Sequence, residues 1–216
     1  MTELARAIAA ECDRLGLHVA PTAVDRIAAY AASLWSWNGR LNLTRHAGAE
    51  TFVARDVADA AAIAPHLAQG ERVLDVGTGG GVPGVLLAIL RPDLRVELCD
   101  SVGKKARAVR TITEEIGLPL PVHAAAGQAV VATRPGAFDT LVIRAVAPLA
   151  KLLGWFEPVC QAYGRLLVVK GPRWEEEKGE ARHRGFLKKT RVRRLAAWPL
   201  PGTENESVLL EVRARE

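Results

Sequence analysis

Five short aliphatic runs alternate with helical stretches between residues 72 and 187, and then the alternation stops. Strands are expected at 73–76, 95–100, 121–125, 138–143 and 165–170, and helices at 83–89, 104–116, 148–163 and 174–187. Two further strands, 190–198 and 207–213, are joined by a turn that opens with Pro199-Leu200-Pro201-Gly202. Strand–helix alternation builds a parallel sheet with helices on both faces and right-handed crossovers. Strands joined directly by a turn pair antiparallel. The expected architecture is one doubly wound α/β sheet of seven strands ending in an antiparallel hairpin.

The first strand runs straight into glycines. Asp75-x-Gly77-x-Gly79-x-Gly81 covers the strand end and the loop, and Gly79-x-Gly81-x-x-Gly84 overlaps it. Glycine permits positive φ and lets a ligand approach the backbone. The helix that follows presents free N–H groups and a partial positive charge, which suits an anionic group. With Asp100 about 20 residues on, the second pattern also fits a dinucleotide fingerprint. Asp75 argues against a pyrophosphate close by, because like charges repel. It suits an amine or a sulfonium, which points to S-adenosylmethionine as cofactor. The terminal hairpin also disfavours a dehydrogenase. It is the layout of the Rossmann-like seven-stranded methyltransferase fold.

The 216 residues suffice for one sizeable core. Hydrophobic residues make up 49% and charged residues 25%, the balance of a globular protein. No apolar run reaches the ~18 residues of a membrane span. Glu3, Arg6, Glu11 and Asp13 stand where a signal peptide would be apolar. Cys12, Cys99 and Cys160 are odd in number, far apart and without metal spacing, so they read as reduced, buried thiols of a cytoplasmic protein. The net charge of +5 is compatible with a nucleic-acid partner. Two basic stretches could follow a phosphate backbone: residues 182–194, and the cluster Lys104, Lys105, Arg107 and Arg110. A solvated surface explains the first of them equally well.

Ahead of the sheet, two helices are expected. Leu4, Ile8, Cys12 and Leu15 make one face of the first, and Pro21-Thr22 opens the second, with Val24, Ile27, Ala28, Ala31, Leu34 and Trp35 on its apolar side. They form an N-terminal helical cap. Trp37, Asn38, Arg40, Asn42 and Thr44 fall in the helix exit and loop, where aromatics beside amides suit a functional loop, a C-cap or an Asx turn. A third helix, 49–66, carries Arg55, Asp56 and Asp59. The expected division is a helical extension, 1–70, packed on a catalytic core, 71–216.

Ligands of doubly wound sheets bind at the carboxyl ends of the strands. The polar residues there are Asp75, Asp100, Gln128, Arg144 and Lys170. Asp100 is placed to take ribose hydroxyls, or to cap the following helix together with Ser101. Arg144 could hold cofactor, an RNA phosphate or a structural partner, and Lys170 could touch substrate. The histidines, His18, His46, His66, His123 and His183, show no ligand spacing, and no Ser-His-Asp order or zinc pattern emerges.

Together these motifs resemble the bacterial small-subunit rRNA guanine-N7 methyltransferases, the RsmG/GidB family. The resemblance rests on Trp37-Asn38 with Asn42-Leu43-Thr44, on residues 75–84, on Asp100-Ser101-x-Gly103-Lys104, and on Phe138-Asp139, Arg144-Ala145 and Lys170-Gly171. It implies methyl transfer from S-adenosylmethionine to guanine N7 of 16S rRNA, with small-subunit rRNA or the ribosomal subunit as partner, no membrane, and a monomeric enzyme. By resemblance, Gly77, Val82, Ala129, Val130 and Arg144 contact the cofactor, and Asn38, Asn42, Arg55, Arg144 and Lys170 face the target. The motif adds Asp75, Gly79 and Gly81 to the cofactor set, and position adds Asp100. The sequence departs from the family where an Arg-His pair becomes Arg55-Asp56, and where Gln128 and Val130 follow the third strand. It departs again at Glu204-Asn205-Glu206, where an arginine is expected. Asp56 is therefore expected to stabilise the cation that forms on the guanine. Two alternatives stay open: a methyltransferase of another RNA or a small molecule, and a non-catalytic RNA-binding relative.

Overall fold

Near-continuous aliphatic runs give the central strands two buried faces, so helices must cover both sides of the sheet. The computed structural model, which describes residues 1–215, shows this arrangement. Five strands are parallel: β1 (Arg72–Val76), β2 (Arg95–Cys99), β3 (Val122–His123), β4 (Phe138–Arg144) and β5 (Tyr163–Lys170). The hairpin strands β6 (Thr190–Pro199) and β7 (Glu206–Ala214) complete a sheet of order β3-β2-β1-β4-β5-β7-β6. The later strand, β7, inserts beside β5, with Val168 opposite Leu210, and leaves β6 at the edge. Composition explains the choice. Residues 207–212 of β7 are buried throughout, whereas β6 carries Arg191, Arg193 and Arg194. Charged residues on an edge strand also discourage further pairing.

One face packs against α1 (Glu3–Arg14), α2 (Pro21–Leu41), α3 (Ala49–Phe52), α4 (Ala58–Ile63), α5 (Gly84–Leu90) and α6 (Gly103–Glu115). The other packs against α7 (Gly127–Thr133), α8 (Leu149–Phe156) and α9 (Trp174–His183). The side chains of Val73 and Val142 join the first core, and those of Leu74 and Ile143 the second. The N-terminal helices share a continuous apolar cluster with the sheet: Ile8, Ile27, Leu34 and Phe52 pack in it with Val85, Leu98 and Val109.

Several boundaries differ from expectation. Helix α2 extends to Leu41, so Trp37 and Asn38 are helical, and Asn42 is the C-cap in the left-handed region at φ 48°. The expected helix 49–66 is interrupted by a π-helical turn, Val53–Val57, between α3 and α4, and closes in a short 3₁₀ turn at Pro65. Helix α8 stops at Phe156 because Pro158 cannot continue the backbone ladder. Ser101 makes no cap: Val102 holds that position and α6 begins without a side-chain cap bond. Of the three free thiols, Cys12 and Cys99 are buried and Cys160 is only half-buried. Among the described residues no helix is long and apolar enough to cross a membrane, and no cluster of metal-ligating side chains occurs.

Candidate active site

The glycine loop after β1 is held from beneath. Asp75 is completely buried, and its Oδ2 accepts both the Thr78 hydroxyl at 2.6 Å and the Gly84 N–H at 2.9 Å. One carboxylate oxygen thus ties the loop to the first turn of α5. Its Oδ1 is buried without a partner among the described residues. Burial pushes Asp75 up from 3.8 to about 6, although both hydrogen bonds oppose the rise. Direct contact between Asp75 and a ligand, expected from the motif, is corrected: the side chain lies below the loop and its charge acts through it.

The glycines divide by role. A Cβ on Gly84 would lie 2.7 Å from Asp75 Cβ, and one on Gly80 would lie 2.6 Å from Leu34 Cδ1. Gly81, expected at the cofactor, instead faces Val85, Val109 and the Tyr30 hydroxyl, which donates to the Gly80 carbonyl at 2.9 Å. These three allow close packing of helices. Gly77 and Gly79, at φ +69° and +58°, make the left-handed turns of the loop; the Cβ position of Gly79 is open to 3.9 Å, whereas that of Gly77 is closed by Val146 Cγ2 at 2.6 Å. Asp100 supports the turn at Gly79. Its Oδ2 accepts the Gly79 N–H at 2.9 Å and its Oδ1 the Val102 N–H at 2.8 Å. The acid expected at a ribose is 6% exposed and bridges two loops.

Above the loop lies a cavity of about 880 Å³ at the carboxyl ends of β1, β4 and β5. Of the residues singled out from sequence, Asn42, Arg55, Gly77, Gly79, Val82, Arg144 and Lys170 line it. Asn38, Asp56, Asp75, Gly81 and Asp100 stand behind its wall. Ala129 and Val130 line a separate hollow of about 440 Å³ along β3 and α7, beside His123 and Arg134. Asn38 shapes the wall, since its Oδ1 accepts the Thr44 N–H at 2.8 Å.

One wall is an ionic network. The π turn directs Asp56 inward, fully buried, and leaves Arg55 on the cavity; such turns recur at functional sites. Asp56 Oδ1 accepts from Arg144 Nη2 at 2.5 Å and from His46 Nδ1 at 2.8 Å, and Oδ2 has no partner among the described residues. Arg144 Nη1 donates to Asp59 Oδ2 at 2.8 Å and to the Arg55 carbonyl at 3.2 Å. Asp59 Oδ1 accepts from Trp198 Nε1 at 3.0 Å, which ties the terminal hairpin to α4. Burial raises Asp59, with Arg144 opposing, whereas burial disfavours the Arg144 charge and the two carboxylates more than reverse that. Asp56 therefore cannot touch a substrate, and its expected direct role is corrected to that of an anchor for Arg144 and His46. Lys170 is similarly engaged: Nζ donates to the Ala147 carbonyl at 2.5 Å and pairs with Glu177 at 2.7 Å.

Sequence reasoning passed over His46, Asp59 and Trp198. Asp56 and Asp59 lie three apart on one helix, a spacing that signals a shared face. Nothing marked His46 as a site residue, although its partners Trp35, Thr44 and Asp56 lie within 11 positions, and Trp198 meets Asp59 across 139.

A parallel sheet with an antiparallel β7, a backbone-lined cavity after β1 and a buried acid beneath it define an S-adenosylmethionine-dependent methyltransferase. The cofactor fits what is present: the glycine backbone of Gly77 and Gly79 lines the cavity, the Cβ position of Gly79 is open, and the buried, unpartnered Asp75 oxygen favours a cation above the loop. Solved structures share the fold. An O-methyltransferase from Bacillus cereus in complex with S-adenosylhomocysteine aligns with a TM-score of 0.57 at 15% identity, covering 85% of this chain and 90% of that one. An rRNA methylase from Streptococcus thermophilus aligns at 0.51 and 14% identity, covering 75% and 98%. The chain belongs to the GidB family, rRNA small subunit methyltransferase G, whose model matches residues 23–199. Relatives named ribosomal RNA small subunit methyltransferase G include one from Rhodopirellula baltica, 47% identical over 79% of this chain and 73% of its own length. Another, from Escherichia fergusonii, is 32% identical over 88% of both chains.

Proposed function

We propose that this enzyme methylates N7 of a guanine in 16S rRNA, acting on the ribosomal subunit or its RNA as a cytoplasmic monomer. The observation that carries this reading is the charge on the cavity wall. Arg45, Arg55 and Lys105 line it, together with Gly77 and Gly79, and their side chains have no ion-pair or hydrogen-bond partner among the described residues. Free cations at a cofactor cavity suit RNA phosphates. Gly77, Gly79 and Val82 would hold S-adenosylmethionine, which when bound supplies an electrophilic methyl group on a sulfonium. Guanine N7 carries a lone pair and no proton, so the chain need not supply a general base to expose it. Its work is to position the base in line and exclude water. Residues 1–70 would serve as an extension of the catalytic core 71–216, since both contribute to one apolar cluster.

The test is methyl transfer from labelled cofactor to 30S subunits and to free 16S rRNA lacking the modification, with N7 product located by reductive strand scission. Labelling at one guanine N7 is expected. Label at another atom, or none on either RNA, would overturn the reading.

A further inference from the structure

We propose that His46 is a catalytic residue, its Nε2 accepting the N1–H of the target guanine while buried Asp56 holds the ring. The proposal rests on the N7 reading above and assigns a substrate contact within that site.

His46 is immobilised at three points. Its backbone N–H donates to Thr44 Oγ1 at 3.0 Å, its carbonyl accepts from Trp35 Nε1 at 3.0 Å, and its Nδ1 lies 2.8 Å from Asp56 Oδ1. His46 lines the cavity beside Asn42, Thr44 and Arg55, and its side chain is 23% exposed. A carboxylate only accepts, so Nδ1 carries the proton in this contact. In the neutral tautomer that donates through Nδ1, the lone pair is at Nε2, which has no protein partner among the described residues. Asp56 is also held by Arg144 at 2.5 Å, so His46 is not its sole partner. Preorganisation of this degree, by backbone and by a buried carboxylate, is what a substrate-contacting group needs.

The chemistry gives that lone pair a task. As the reaction proceeds, the N7 lone pair forms the new N–C bond, the C–S bond breaks, and its electron pair remains on sulfur. The purine ring gains one positive charge and its N1–H becomes a stronger donor. The N1 proton stays on the base. An acceptor at N1–H therefore binds the transition state more tightly than the ground state, which is the condition for a rate effect. Positive charge drawn toward the imidazole is stabilised by Asp56, as the carboxylate of a hydrolase triad stabilises its histidine.

Two isosteric variants separate this role from a structural one. In H46N the side-chain amide can reach Asp56 as Nδ1 does, but nothing remains at the Nε2 position. In H46Q an amide group reaches the Nε2 position instead. Both are assayed on 30S subunits for kcat and KM, with S-adenosylhomocysteine affinity and Tm measured alongside. H46N is expected to lower kcat about 100-fold, the scale of losing one preorganised contact to developing charge, with affinity and Tm close to wild type. H46Q is expected to recover at least tenfold of that loss. A kcat for H46N within twofold of wild type would overturn the proposal, as would a loss confined to cofactor affinity or Tm, or an H46Q variant no faster than H46N. Failure of the N7 reading is distinct, since it would appear as wild-type label at another atom.

Discussion

Replacing Asp75 by asparagine should stabilise the enzyme at neutral and alkaline pH, and the size of the gain follows from one buried oxygen. Folding moves Asp75 from 3.8 to about 6, chiefly through burial. That displacement is equivalent to about 3 kcal/mol. The folded protein holds a proton between those values that the unfolded chain has released. The contribution of Asp75 to stability is therefore fully present below 3.8 and is lost as pH rises through about 6. Asparagine does not titrate. Its carbonyl oxygen can still accept from Thr78 and Gly84, and its amide takes the place of the unpartnered Oδ1. The protonated acid leaves a similar unpaired donor there, so D75N and wild type should be nearly equal near pH 4. At about pH 8 the variant should be more stable by about 3 kcal/mol, or about 6–12 °C in Tm for a chain of this length. Thermal and urea unfolding at the two pH values measure this. No gain at pH 8, or an equal gain at both, would refute the argument that Asp75 carries an uncompensated buried charge.

Arg144→Met should lower stability by about 3–5 kcal/mol at neutral pH, because it removes the guanidinium shared by the buried carboxylates of Asp56 and Asp59 and leaves them only His46 and the Trp198 indole; urea unfolding reads this directly. Gly77→Ala places a Cβ 2.6 Å from Val146 Cγ2 at a φ of +69°, and should weaken S-adenosylhomocysteine binding at least tenfold in calorimetric titration. It should also cost about 1–2 kcal/mol in stability from the left-handed backbone alone, visible as a drop in Tm.

The legible parts of the molecule are those written in short-range pattern. Strand–helix alternation and the glycine loop depend on neighbours a few residues apart, so seven strands, their parallel core and the position of the cavity could be read without coordinates. Asn42, Gly77 and Lys170 were legible as wall residues because strand ends and helix exits converge where ligands bind, whereas Arg55, inside an expected helix, was marked only by the family resemblance. What each charge does there was not legible. Arg144 meets Asp56 across 88 positions and Asp59 across 85, and Trp198 meets Asp59 across 139. A sequence shows that such groups exist, and only the fold shows that they neutralise one another.

The sequence alone therefore determined the class of fold, the family and the edge of the sheet that carries the chemistry, because periodicity, glycine spacing and charge type act locally. Tertiary structure decided which acids support and which cations stay free. It turned Asp75, Asp56 and Asp100 away from the cavity into hydrogen bonds with loop and network, engaged Arg144 and Lys170, left Arg45, Arg55 and Lys105 unpaired among the described residues, and brought His46 to the wall. The physical reason is that the electrostatic role of a side chain is set by what lies within a few ångströms of it after burial, and those neighbours come from segments that local pattern does not connect.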